Sequence, residues 1–374
     1  MPHASALSRR HFLTGALAAP LLSSLPARRA RGSTGTLNML MWSDYLPEAF
    51  QARFTFQTGI TINQTEVGSN EEILEIMQTT GGSGFDLVSP TNQRALQWAP
   101  LGLLQPFDLT RVKVDQVNPA MLKIGTDTWN FDGAGTHWLP HIWGTEGIAY
   151  RTDRWQPEGP APSYGDVWSD ALTGQAMGRA QSMMVGAGLF MEASGAMEPG
   201  SVWAAYSDED TMRRVWGQIT EWTIARKSSL GVLWNDAEAQ RAALLGDTVS
   251  LGQTWDGPAL ALKSRGEPVH YQAPVEGAMA WVDGLAMPKT AQNIDEIYAF
   301  IDFAYDPENA GLATQSHGYN SPVVGADRFA GETYARNFAE AYPGDSLSRL
   351  NPWPSEAPWY AALRAEFVAQ FEAA

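Results

Sequence analysis

Residues 37–88, LNMLMWSDYLPEAFQARFTFQTGITINQTEVGSNEEILEIMQTTGGSGFDLV, decide the fold. Leu37 to Met41 is an apolar run of strand length, and Pro47 to Gln57 reads as a helix with proline near its first turn, where a missing N–H costs nothing. Ile60 to Glu66 reads as a second strand. Ser69 with Glu72 three residues on forms a capping box, and Ile73, Leu74, Ile76 and Met77 supply the buried stripe of a helix that stops at Gly81 and Gly82. Phe85 to Val88 follows as a third strand. Strands alternating with helices are the grammar of an α/β fold with parallel pairing and right-handed crossovers.

In such sheets ligands sit at the carboxyl ends of strands. The rule singles out Trp42, Ser43, Asp44 and Tyr45 after the first strand, and Ser89 and Thr91 after the third. A second α/β series runs from about Gly147 to His270. Within it Thr248 to Thr254 is a strand, Pro258 to Lys263 opens a helix, and Trp255 and Asp256 stand at the strand's end. Residues 276–288, EGAMAWVDGLAMP, read as an apolar strand with Asp283 as its interior carboxylate, followed by a helix from about Ile294 to Ala304. A late strand and helix that return to the first lobe give two discontinuous domains joined by crossing segments.

The flanks and the composition bound the setting. Ser8 to Leu13, SRRHFL, is a twin-arginine export signal, and the apolar stretch from Gly15 to Leu25 behind it is too short to span a membrane. The chain carries 25 basic and 41 acidic side chains, and five of the arginines fall in residues 1–31, so the remainder has a formal charge of −21. Nucleic acid, which needs a basic face, is excluded as a partner, while the approach of cations is favoured. With no cysteine there is no disulfide framework, thiolate site or lipidated anchor, and stable membrane insertion is not expected.

Signals for enzyme chemistry are weak. His137 and His141 have a four-residue spacing, but Pro140 between them breaks the helix that would align them on a metal, so neither a metal site nor a cofactor is expected. There is no G-x-S-x-G elbow, HExxH, P-loop or dinucleotide fingerprint. Signals for binding are stronger. An ammonium is held by carboxylates that accept its hydrogens and by aromatic faces that attract cations. That pairing occurs three times at strand ends: Trp42 with Asp44 and Tyr45, Trp255 with Asp256, and Trp281 with Asp283. Taken singly, each tryptophan is more often partial core than ligand platform and each aspartate usually a turn former or helix cap; their recurrence where α/β sheets bind ligands argues for a site.

Five segments together carry a resemblance to a family: LNMLMWSDYLPEAF from Leu37, FDLVSPTNQ from Phe85, GLLQPFD from Gly102, LPHIWGTEGIAY from Leu139 and EGAMAWVDGLAMP from Glu276. The chain resembles the periplasmic spermidine/putrescine-binding proteins of bacterial ABC importers, in the larger type II solute-binding superfamily. The resemblance implies a type II periplasmic binding protein fold, two α/β lobes joined by a hinge with the ligand cleft between them. It places the ligand contacts on Trp42, Ser43, Asp44, Tyr45, Ser89, Gln253, Asp256, Trp281, Asp283 and Tyr319, with Trp255 as an alternative to Gln253. Two departures matter. Where relatives carry acids after the first strand of lobe two, Met183 to Phe190 reads MMVGAGLF, with none; and Glu146 stands where relatives have threonine. Glu146 is therefore a candidate substitute acid.

The expectation is a monomeric, periplasmic binding protein with lobe one at 36–146 and 278–308 and lobe two at 147–277 and 309–374. It captures a polyamine by closure of its lobes and delivers it to a permease and ATPase, without performing chemistry. The alternatives are another cationic or zwitterionic solute, such as an opine, a guanidino compound or another amine, and, from a different class, an exported hydrolase. A ferric-ion binder is disfavoured because no adjacent tyrosine pair occurs.

Overall fold

In the computed structural model, which describes residues 35–374, the opening stretch forms β1 (Thr36–Trp42), α1 (Glu48–Thr58), β2 (Thr61–Val67), α2 (Asn70–Thr80) and β3 (Leu87–Val88). The export signal lies outside the described residues. The three strands make a parallel sheet ordered β2-β1-β3. Ser69 caps α2 by accepting the Glu72 N–H at 3.1 Å. The Glu72 carboxylate answers at Gly68 N, 2.9 Å, rather than at Ser69. Gly81 closes the helix in the left-handed region, at φ 61°, where a side chain would be strained.

The late helix does return to this first layer. Phe50 and Phe54 of α1 meet Phe300 and Phe303 of the helix Ile294–Ala304 with ring centroids 5.0 to 6.2 Å apart. All four rings are buried. Each contributes on the order of 1.5–3 kcal/mol of burial free energy, so the contact holds together segments about 250 positions apart.

The remaining strands are β4 (Leu104–Gln105), β5 (Leu139–Arg151), β6 (Ala176–Gly178), β7 (Leu230–Leu233), β8 (Leu251–Trp255), β9 (Val269–Gln272), β10 (Met279–Leu285), β11 (Met287–Pro288) and β12 (Asn351–Pro352). Seven of them form one sheet ordered β12-β10-β5-β8-β6-β7 with β9 also on β5, and β4 pairs with β11. This larger sheet is mixed, not wholly parallel as the alternation of elements suggests. The cause is β5, which runs antiparallel to β8, β9 and β10, while β6 lies parallel to β7 and β8. Its 13 residues change partners at Glu146: Leu139 to Glu146 pair with β10, and Glu146 to Tyr150 pair with β8.

A second correction concerns Met183 to Phe190. The segment is not a loop after a strand but the interior of the helix Ala180–Ala193. Its glycines serve close packing: a Cβ on Gly186 would come within 2.3 Å of Gln253 and one on Gly188 within 2.7 Å of Val202. The loop that follows the short strand β6 is Arg179 alone, the residue before the helix.

Candidate ligand-binding site

The carboxyl ends of β1, β6 and β8 and the length of β10 converge on one narrow cavity lined by buried side chains. Of the residues expected from sequence, the structure brings Trp42, Asp44, Tyr45, Glu146, Trp255, Trp281, Asp283 and Tyr319 to its wall.

One side is an aromatic box. Tyr45 and Trp281 lie with ring planes 12° apart and centroids 6.4 Å apart, and Tyr319 meets both edge-on at 5.4 Å. Trp42, 6.1 Å from Tyr45, is fixed from behind because its indole N–H donates to the Ser89 carbonyl at 2.9 Å. Two carboxylates serve this box. Asp283 sits beside a bulge between β10 and β5, where Thr91 bridges to it; Tyr45 Oη donates to its Oδ2, and its Oδ1 has no partner. Burial pushes its pKa up to about 7, against the nearby Thr91 and the Tyr45 hydroxyl, which favour the ionised form. Asp44 is pushed up to about 6 by burial, against the Arg241 guanidinium 3.7 Å away and Tyr319, and its Oδ2 accepts no hydrogen bond. Buried carboxylate oxygens without donors are costly in the empty protein. A ligand ammonium would supply what they lack.

The other side carries arginine. Arg179 stands over the Trp255 ring at 5.3 Å, and Glu146 lies on the same side. Burial raises the Glu146 pKa while Arg179 opposes the rise, and Glu146 Oε2 is unpartnered. Beyond them Arg94 and Arg364 form a closed ring of ion pairs with Glu71 and Glu356, at 2.8 to 3.2 Å. Burial works to raise the Glu71 pKa, but Arg94 and Arg364 overrule it and hold the carboxyl well below its usual range.

Four expected contacts are placed elsewhere. Asp256 is fully buried behind the cavity, where Tyr342 and Asn320 donate to its Oδ2 at 2.7 and 3.0 Å and Gly257 N donates to its Oδ1. Burial pushes it up to about 7. A Cβ on Gly144 would touch both Asp256 and Trp281 at 2.5 Å, so glycine in the WGT segment is what lets those two side chains pack across β5. Ser89 and Gln253 are buried behind the wall. Ser43 faces a neighbouring hollow with Glu66, Glu72, Asp236 and Glu238. Sequence reasoning missed Arg94, Arg179, Ser182, Glu356 and Arg364, all of which line the cavity. Arg179 was accessible to the same strand-end rule, but β6 is only three residues long and gave no periodic signal.

An α/β chain of two lobes with a cavity lined by buried aromatic rings and unsatisfied polar groups is the design of a solute-binding protein. The chain belongs to the bacterial extracellular solute-binding protein family, whose sequence model matches residues 49–337. It is 23% identical over 368 residues to a spermidine/putrescine-binding periplasmic protein of Escherichia coli K12, covering 97% of this chain and 98% of that one. A putrescine-binding periplasmic protein of the same organism is 26% identical over 309 residues, 79% of each chain. Among solved structures, a spermidine/putrescine ABC transporter protein from Listeria monocytogenes superposes with a TM-score of 0.74 at 22% identity, covering 91% of this chain and 99% of that one, which establishes the shared fold.

Proposed function

We propose that this protein is the periplasmic capture component of an ABC importer and that it binds a small organic amine, of the kind named for its relatives, by closing two lobes around it. The observation that carries the reading is a pair of buried carboxylates, Asp283 with an oxygen that accepts no hydrogen bond and Asp44 whose Oδ2 has only the Arg241 guanidinium at 3.7 Å, set in a box of Trp42, Tyr45, Trp281 and Tyr319. Each charge-assisted hydrogen bond to an ammonium there is worth on the order of 1.5–3 kcal/mol. Export to the periplasm through the twin-arginine signal, and a permease and ATPase as partners, complete the proposal. Among the described residues no helix is long and apolar enough to cross a membrane.

Closure rests on the same geometry. The partner change of β5 at Glu146 supports a hinge between a lobe of residues 36–146 and 278–308 and a lobe of residues 147–277 and 309–374. Residues 351–356 join the first lobe, since Trp353 N donates to Ala280 and Glu356 N to Gln93. A ligand that contacts both lobes stabilises the closed form by its differential contacts. Calorimetric titration with putrescine and spermidine tests the ligand class, and small-angle scattering with and without ligand tests closure. Absence of heat with every amine, or an unchanged radius of gyration at saturation, would each refute its part of the proposal.

A further inference from the structure

The amine end of the cavity leaves its far end unexplained. Arg179 lines that end and also borders the hollow of Glu66, Glu72, Asp236 and Glu238; Glu146 and Glu71 act on its charge, but among the described residues it makes no close ion pair of the kind that holds Arg94 and Arg364. The other two arginines of the wall are already spent on Glu71 and Glu356. A guanidinium offers five donors in a planar fork that matches a carboxylate. Arg179 also immediately precedes the 14-residue helix Ala180–Ala193, which has no side-chain cap at its N-terminus. The first N–H groups of such a helix and its dipole favour an anion. Independently, Ser182 in the first turn is 1% exposed and lines the cavity; its Oγ lies near enough to Glu146 to favour that carboxyl's ionised form but makes no well-formed hydrogen bond. A guanidinium fork, a buried hydroxyl and an uncapped helix start therefore face one place.

We propose that the ligand is a small zwitterion, with its ammonium on Asp283 and Asp44 in the aromatic box and a carboxylate on Arg179, Ser182 and the start of the helix Ala180–Ala193. The inference rests on the amine-binding reading and narrows it, since a diamine would set its second ammonium against Arg179. Like charges enclosed together are strongly disfavoured. Of the acids that act on Arg179, Glu146 is the strongest and lines the cavity; it tempers the guanidinium and repels a ligand carboxylate, so it tunes selectivity in the opposite sense to Arg179.

The test is a calorimetric ladder: 4-aminobutanoate, 5-aminopentanoate and 6-aminohexanoate, each against the monoamine of equal length, with putrescine and butanoate as controls. The expected result is that the best amino acid binds tighter than its monoamine by about tenfold or more, the gain of charge-assisted contacts to an arginine fork. Arg179→Gln abolishes that ratio, Ser182→Ala reduces it, and Glu146→Gln raises it. Melting temperatures of the empty variants establish that each is folded, and Ser182→Ala keeps the proposal exposed if Arg179→Gln is not. Putrescine binding with no advantage of any amino acid over its monoamine overturns the zwitterion and leaves the amine reading standing. Butanoate binding as tightly as 4-aminobutanoate, or no binding by any amine, overturns the amine reading itself.

Discussion

Two sets of buried charge border the same cavity and are built on opposite plans. In the ring formed by Arg94, Glu71, Arg364 and Glu356, two cations and two anions alternate, and each group meets both of its opposites. In the aromatic box, Asp283 keeps an oxygen with no hydrogen-bond partner and Asp44 has only Arg241 at the looser distance of 3.7 Å, and both are pushed toward neutrality by burial. The ring spends its charge internally and so holds shape. It ties Glu71 of α2 and Arg94 to the chain's last helix, Pro358–Ala373, which carries Arg364. The box leaves its charge unspent, at a cost to the empty protein, and so is poised to bind. Counting buried charges would not separate these roles; asking which of them has a partner does.

The largest effect is expected from breaking the ring. Glu356→Ala leaves Arg94 and Arg364 sharing only the half-exposed Glu71, and removing one member of a buried ion-pair set costs about 3–5 kcal/mol. A thermal unfolding scan should show a pronounced drop in melting temperature. An unchanged scan would mean that the ring is not structural and that the comparison fails.

Asp283→Asn should do the reverse. It keeps the shape, removes an unspent charge, and should weaken amine binding by about ten- to hundredfold in calorimetry, from the loss of about 1.5–3 kcal/mol. The empty protein should lose no stability from it. The pH dependence follows with a definite sign. Because the folded-state pKa of Asp283 is about 7 against an ordinary 3.8, the folded protein holds that proton where the unfolded chain has released it, so this group costs stability as pH rises from about 4 to 7. Wild type should therefore lose stability relative to Asp283→Asn across that window. The subtraction matters because buried His141 and His317, held down from 6.5 to about 4 and about 3 by burial, push the total the other way through most of that window. Amine affinity of wild type should rise through the same window as Asp283 ionises. A flat difference curve would remove the claim of an unspent buried carboxylate.

Asp256 sharpens the contrast, and it shows what sequence could and could not reveal. The alternation of strands and helices, Ser69 as cap, the helix from Ile294 to Ala304 and its return to the first layer were legible, because each rests on local periodicity or capping chemistry. So were the aromatic and acidic residues at the ends of β1 and in β10, where the strand-end rule applies directly. Asp256 satisfied the same rule and still faces away, because the rule gives a position along a strand and not the direction of a side chain. Arg94, Glu356 and Arg364 were illegible for a different reason: their role exists only through contacts between segments more than 250 positions apart. Since Asp256 has its acceptor oxygens filled by Tyr342, Asn320 and Gly257, Asp256→Asn must present an amide to a donor. That leaves one buried group unpaired, at about 1–3 kcal/mol of stability. Amine affinity should be unchanged. Equal losses of affinity in Asp256→Asn and Asp283→Asn would show that the assignment of the two carboxylates is mistaken.

The smallest effect separates the box from the charge it serves. Trp281 stacks on Tyr45, its ring faces the cavity, and its buried indole N–H has no acceptor. Trp281→Phe keeps an aromatic face of weaker quadrupole, deletes an unsatisfied donor and trims a buried ring. The empty protein should lose stability modestly, on the order of 1 kcal/mol, because the space left by the indole outweighs the removal of an N–H that made no bond. Binding of a protonated amine should weaken by no more than about 0.5–1 kcal/mol, two- to fivefold, which is the scale of a cation–π contact in a site whose main attraction comes from carboxylates. If the loss instead matched that of Asp283→Asn, the ring would have to be acting as a hydrogen-bond donor to the ligand. The indole N–H would then contact an acceptor on the solute, and the zwitterion's carboxylate would have to reach Trp281 rather than Arg179. Measuring the variant with butylamine and with 4-aminobutanoate distinguishes the two, because only the second ligand carries such an acceptor, and a loss confined to it would move the anion subsite across the cavity.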